Sequence, residues 1–241
     1  MNVEGMILAA GRGTRLGALG SASPKALIEV GGRTMIERTV EALVAAGVRR
    51  VVVNVHHHAK AITRFLAAHD LGAEIVVRLE EREPLETGGG MLHARALLGR
   101  DGPLLVHNVD VICTADLAAL VREHAHAGAL ATLAVQERET RRQLLFDDAG
   151  LLGREDRGSG ARREVRAPRG DVRAFAFAGI HACDPRLLDL FTERGVFPIV
   201  DAWLRLAGEG HAIRPWAVPQ GAWFEVGNPD RLAAARARFA S

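Results

Sequence analysis

The spacing of apolar residues divides the chain into two stretches with different patterns. In the first, short unbroken apolar runs alternate with segments whose apolar residues recur at helical spacing. Met6 to Ala10 is such a run and predicts a buried first strand. Thr34 to Ala46 sets Met35, Ile36, Val40, Leu43 and Val44 on one helical face. Val51-Val52-Val53-Asn54-Val55 predicts a second strand, and a helix follows from Ala59 to Ala68. Glu74 to Leu79 and Pro103 to Val106 predict two more strands, separated by a helix from Gly90 to Leu98. Thr114 is the expected cap of a helix starting at Ala115. Strands alternating with helices imply a largely parallel sheet covered on both faces.

Beyond residue 128 the pattern turns to β. Leu130 to Val135 and Leu144 to Phe146 read as strands, with Asp147-Asp148-Ala149-Gly150 as a hairpin turn. Residues 153–172 are rich in arginine with scattered Gly and Pro, and predict a long flexible polar loop. Phe175 to His181 is an apolar strand, Asp184-Pro185 opens a helix, and another helix spans Phe197 to Leu206. His211 to Val218 and Trp223 to Val226 complete the strands, and Asn228-Pro229 caps a last helix. With no repeat or linker, residues 1–241 are expected to form one α/β domain, its halves being 1–128 and 129–241. The expected fold is Rossmann-like, a mixed, mainly parallel central sheet flanked by helices, with a small β insertion in the second half.

Composition narrows the classes. Hydrophobic residues make up 48% and charged residues 25% of 241 positions, which excludes a disordered chain. No apolar run approaches the ~18 residues of a spanning helix, and the apolar start is too short for a secretory leader. Two cysteines, Cys113 and Cys183, exclude a disulfide scaffold and fit a cytoplasmic location. A net charge of +2 argues against a nucleic-acid binder. Arginine outnumbers lysine 29 to 2, so the two lysines stand out. Lys60 sits on a predicted solvated helix face; Lys25 lies in the most unusual loop of the chain, where a compact ammonium can do what a guanidinium fork cannot. His56, His57 and His58 are consecutive and do not converge on one ion, and His124 and His126 read as solvated surface.

The loop after the first strand reads Leu8-Ala9-Ala10-Gly11-Arg12-Gly13-Thr14-Arg15-Leu16-Gly17 and continues to Pro24-Lys25-Ala26. Glycines there let backbone N–H groups approach an anion. The dinucleotide fingerprint fails, because Leu16 stands at its last glycine position, and no Gly-Lys-Ser/Thr occurs. Arg12, Arg15 and Lys25 make the loop strongly positive, which suits a triphosphate.

This loop resembles the signature of the sugar-nucleotide pyrophosphorylases, which join an NTP to a sugar 1-phosphate. Four further segments resemble that family in order: Glu86-Thr87-Gly88-Gly89-Gly90, Val106 to Val111 with Asp110, Ala176 to His181 with Gly179, and Trp223 to Gly227 with Glu225. Three departures stand out: Ala26 for a second proline, Val109 for a glycine and Glu225 for an aspartate. The resemblance implies that 1–128 binds the nucleotide and 129–241 the sugar. It implies Lys25 and Arg15 as catalytic residues, and nucleotide contacts from Ala9, Ala10, Gly11, Arg12, Gly13, Thr14, Glu86, Thr87 and Gly88. It further implies sugar contacts from Asn108, Glu164 and Gly179, with Asp110 and Glu225 holding Mg²⁺, for which Mn²⁺ could substitute. UTP or GTP and a sugar 1-phosphate are the expected partners of a monomer or homodimer, with no nucleic acid and no membrane. Two alternatives remain open: a nucleotide- or sugar-binding regulatory domain with impaired catalysis, and transfer to a non-sugar phosphate such as phosphocholine.

Overall fold

The computed structural model describes residues 2–17, 20 and 23–240, so residues 18–19 and 21–22 of the long Gly11–Pro24 loop lie outside the described residues. The first half contains β1 (Glu4–Leu8), the short pair β2 (Glu29–Val30) and β3 (Arg33–Thr34), and α1 (Met35–Ala45). It continues with β4 (Arg50–Val55), α2 (Ala59–Ala68), β5 (Glu74–Leu79), α3 (Glu86–Ala94), β6 (Leu104–Asn108), β7 (Val111–Cys113) and α4 (Leu117–Ala127). The second half comprises β8 (Ala131–Gln136), β9 (Arg142–Asp147), β10 (Gly150–Asp156), β11 (Ala161–Glu164) and β12 (Arg173–Cys183). It ends with α5 (Ile199–Gly208), β13 (Ile213–Ala217), β14 (Trp223–Glu225) and α6 (Pro229–Arg238).

Ten strands form one mixed sheet. Its main path is β11-β10-β9-β12-β6-β1-β4-β5, and β8 joins β12 to β13 beside it. β1 pairs in parallel with β4 on one side and β6 on the other, while β12 runs antiparallel to β6. Chain order reverses between β1 and β6, where their carboxyl ends, Leu8 and Asn108, are register partners. Ligands of open α/β sheets bind at such a switch point.

Two cores sandwich the sheet, set by strand alternation. Ile7, Val53 and Leu105 face α1, with Met35 and Leu43 against them; Met6, Val52 and Val106 face the other way, toward Met91 and Trp203. Thr34 starts α1 with a capping box, its Oγ1 accepting from Glu37 N at 3.3 Å while Glu37 Oε2 accepts from Thr34 N at 2.7 Å.

Several expectations need correction. The predicted loop 153–172 is largely the end of β10, a turn and β11, because its arginines have interleaved acidic partners: Arg157 with Glu155, Arg162 with Glu164 and Arg166 with Asp147. Asp156 Oδ1 closes the turn by accepting from Gly158 N and Ser159 N. The segment after it is pinned by the buried Asp147 carboxylate, which accepts from both Arg166 Nη atoms and from Arg169 N. That hydrogen-bonded guanidinium holds the Asp147 carboxyl well below the usual range. Asp116, not Thr114, caps α4 by accepting from Ala119 N. His124 is buried and bonded to Thr132 Oγ1 at 3.0 Å, because α4 turns that side toward β8. The segment after Asp184 is a single 3₁₀ stretch, Pro185–Asp189. No helix among the described residues is long and apolar enough to cross a membrane.

Candidate active site

A cleft of about 360 Å³ opens where β1 and β6 end, lined on one wall by Leu8, Ala9, Ala10, Gly11 and Lys25 and on the other by Asn108, Val109 and Asp110. Pro84, Glu86, Thr87 and Pro198 close a third side. Pro24 is extended and starts the 3₁₀ turn Lys25–Leu27, from which the lysine reaches into the cleft. Lys25 Nζ donates to Asp110 Oδ2 at 2.9 Å, and the two side chains are only 12% and 21% exposed. Asp110 Oδ1 has no hydrogen-bond partner among the described residues.

Glu225 reaches the same place from the far end of the chain. β14 pairs antiparallel with β7, setting Glu225 opposite Val111, and Val226 N donates to the Asp110 carbonyl at 3.0 Å. Its carboxylate meets Arg15 at 3.5 Å through one oxygen and Arg231 of α6 through the other. Arg138 lies over the Trp223 ring at 4.5 Å; burial, then the neighbouring Arg231, lowers its pKa. Trp223 itself donates to the Ala178 carbonyl at 2.8 Å. Beside it Gly179 has φ +78, and a Cβ there would lie 3.0 Å from Asn108 Nδ2, so a side chain would press on the cleft wall.

Behind the cleft is a buried polar relay absent from the expected site. Asn54 Oδ1 accepts from Ala9 N at 2.8 Å, and Asn54 Nδ2 donates to Glu80 Oε1 at 2.6 Å. Glu80 Oε2 accepts from Leu85 N at 2.9 Å. The relay ties the first loop to the segment leading into Glu86, which has an unusual positive φ of 59. Asparagine within an otherwise unbroken apolar strand was the available signal, since a buried amide must find partners.

The predicted residues fall into three sets. Ala9, Ala10, Gly11, Lys25, Glu86, Thr87, Asn108 and Asp110 line the cleft. Gly13, in the left-handed region, starts the 3₁₀ turn Thr14–Leu16, which places Arg15 beside Glu225; Arg12, before that turn, and Thr14, its first residue, do not line the cavity. Gly88 and Glu164 are elsewhere. The N–H groups of Gly88 and Gly89 both donate to the Phe197 carbonyl, so the Gly88 amide is spent on packing α3 against the start of α5. Glu164 pairs with Arg162 on β11 and lines no cavity described here, whereas Glu155 of β10 lines a second one.

Asp110, in the turn between β6 and β7, and Glu225, at the end of β14, are hard oxygen donors and fit a divalent cation such as Mg²⁺ or Mn²⁺. Among the described residues no group of three or more His, Cys, Asp or Glu could hold a metal. The histidine run likewise forms no such group: His56 Nδ1 lies 2.7 Å from the Glu80 carbonyl, and His58 begins α2.

Residues 5–209 match the MobA-like NTP transferase domain. The chain belongs to that family. It is 37% identical over 244 residues to an N-acetylmuramate alpha-1-phosphate uridylyltransferase of Caulobacter vibrioides, a match covering 98% of this chain and 96% of the relative. A mannose-1-phosphate guanylyltransferase of Oryza sativa is 31% identical across 94% of this chain, which spans 62% of that longer protein. A UTP-bound UGPase of Acinetobacter baumannii shares the fold with a TM-score of 0.78 at 16% identity, covering 99% of this chain and 93% of the other. This MobA-like NTP transferase is thus an enzyme of the nucleotidyltransferase class.

Proposed function

We propose that this sugar-1-phosphate nucleotidyltransferase transfers the nucleotidyl group of UTP or GTP to a sugar 1-phosphate in a reaction dependent on Mg²⁺. The Lys25–Asp110 pair at the switch point, with Glu225 brought beside it by β14, carries the reading. A sugar 1-phosphate is already anionic at neutral pH, so its oxygen needs no general base to attack the α-phosphorus. Repulsion between anions is the obstacle, and fixed positive charge with correct alignment relieves it. Lys25 has three N–H donors and spends one on Asp110, leaving two for phosphate oxygens. Arg15 and Arg12 hold the departing pyrophosphate, and the Gly11–Gly13 backbone lies against the phosphates. Glu86 and Thr87 border the base. Asp110 and Glu225 would hold Mg²⁺, which when bound would supply charge neutralisation. Two carboxylates are few ligands for a resident ion, which supports entry of the metal with the nucleotide.

The test is pyrophosphate release across a matrix of NTPs and sugar 1-phosphates, with and without EDTA. Release with a sugar 1-phosphate that stops on chelation is expected. NTP binding without pyrophosphate for any acceptor would overturn the reading in favour of a binding domain.

A further inference from the structure

Asn54 lines the cleft at the corner between its first wall and its third side, yet is only 1% exposed, as is Glu80. The two side chains bridge the carboxyl ends of three adjacent parallel strands, β1, β4 and β5. At one end Ala9 N donates to Asn54 Oδ1 at 2.8 Å, closer than to the Asn54 carbonyl at 3.2 Å. At the other, Leu85 N donates to Glu80 Oε2 and closes the excursion 80–85, which carries Pro84 onto the cleft. Glu86 follows with its left-handed backbone, a strained state that persists only where its surroundings fix it. Glu80 fixes it from one side. From the other, the Leu85 carbonyl accepts from Phe197 N and Thr87 Oγ1 accepts from Ile199 N.

Hydrogen-bond polarity explains the pair. Both ends of the relay are backbone N–H groups, so each side chain must offer an oxygen to its end. One donor is then needed in the middle, which Asn54 Nδ2 supplies to Glu80 Oε1. Two amides would leave a donor against a donor, and two carboxylates an oxygen against an oxygen. One amide with one carboxylate satisfies every group. Gly90 leaves room for them: a Cβ there would lie 2.6 Å from Asn54 Nδ2 and 2.9 Å from Glu80 Oε1.

We propose that Asn54 and Glu80 are positioning residues that set the gap between the Ala9 wall and the wall 84–87, and with it which nucleobase the enzyme accepts. The proposal rests on the nucleotidyltransferase reading above, in which Glu86 and Thr87 border the base, and names what controls selectivity there. A slot of fixed width separates a pyrimidine from a purine; one whose walls are untied does so less well.

Calorimetric titration with UTP and with GTP, without acceptor, tests it. Glu80→Gln sets a donor against either Asn54 Nδ2 or Leu85 N. It should raise the dissociation constant of the preferred NTP by ~10-fold, the scale of one hydrogen bond to a charged group. The ratio of the two constants should move toward 1 by ~3-fold or more, while KM for the sugar 1-phosphate stays within ~2-fold. Adding Asn54→Asp reverses the middle bond and satisfies every group again, so the swapped pair should return affinity and ratio toward the parent's. Gly90→Ala deletes no polar group but wedges the relay, and should weaken NTP binding in the same way. A parent that binds UTP and GTP alike overturns the proposal. So does folded Glu80→Gln with NTP affinity and ratio within ~2-fold of the parent, or a swapped pair as impaired as the single variant. If Glu80→Gln does not fold, Gly90→Ala decides, and parental affinity and ratio there overturn it. Absence of pyrophosphate with every NTP overturns the catalytic reading instead, and the calorimetry still tests the relay.

Discussion

Lys25 is held by Asp110 and is, among the described residues, the one basic residue lining the cleft, in a chain whose positive charge is otherwise almost all arginine. Removing it leaves the Asp110 carboxylate without that partner and strips a positive charge from the cleft. Lys25→Ala should fold, as its side chain packs in the cleft rather than in either core, and should lose ~10²-fold or more in kcat. Pyrophosphate release within a few-fold of the parent would remove Lys25 from catalysis. Glu225 allows a finer test. Its backbone cannot retreat to absorb the extra methylene, since Val226 is fully buried and tied to the Asp110 carbonyl. The longer arm therefore presents its carboxylate at a changed angle, and Mg²⁺ tolerates such distortion poorly. The parent should show a high Mn²⁺-to-Mg²⁺ rate ratio that Glu225→Asp lowers. Identical metal preference in both proteins would show that residue 225 does not set it.

At the scale of elements, α3 shows how packing overrides propensity. A Cβ on Gly89 would lie 2.3 Å from the Gly195 carbonyl oxygen, and one on Gly88 would lie 2.3 Å from the Phe197 ring. Gly89→Ala must push α3 away from the segment before α5, at a cost of about 1–3 kcal/mol. Because Glu86 and Thr87 ride on that helix, the variant should also raise KM for the NTP; melting and initial-rate measurements check the two effects. The same glycines explain why the helix was expected only from Gly90. Three consecutive glycines are poor helix formers in isolation, and only close contact with residues distant in sequence makes them necessary here. Strands β1, β4 and β5 and helix α2 were legible to within about one or two residues, because their apolar periodicity is unbroken. So was the cleft's loop, where chemistry and backbone needs coincide in adjacent residues. The Asn54–Glu80 relay was not legible, since its partners are 45 and 26 positions from Asn54. Nor was the β10–β11 hairpin beyond Gly153, whose charged strand segments have no apolar face for periodicity to reveal.

The whole molecule carries a pH dependence in its interior. Burial pushes His107 down to about 4 and His181 down to about 3. His107 Nδ1 lies 2.8 Å from the Asn108 carbonyl, which can only accept, so that nitrogen holds the proton and the ring is neutral. An unfolded chain takes up protons at these histidines near pH 6.5, while the folded protein refuses them until far lower. Their contribution to stability is therefore complete above about pH 6.5 and is lost as pH falls toward 4, by up to about 1.4 kcal/mol per pH unit for each ring. Buried His124 is lowered in the same sense; urea unfolding between pH 7 and pH 5 should show this decline, and His181→Leu should remove part of its slope. An unchanged slope in that variant would mean that His181 titrates alike in both states.

β14 stands outside the ten-stranded sheet and pairs only with β7. Every strand of the large sheet precedes it in the sequence, as do Lys25 and Asp110. The cleft's last carboxylate, Glu225, is therefore synthesised only after every strand of the large sheet. It reaches the cleft only through the β7–β14 ribbon, which sets it opposite Val111.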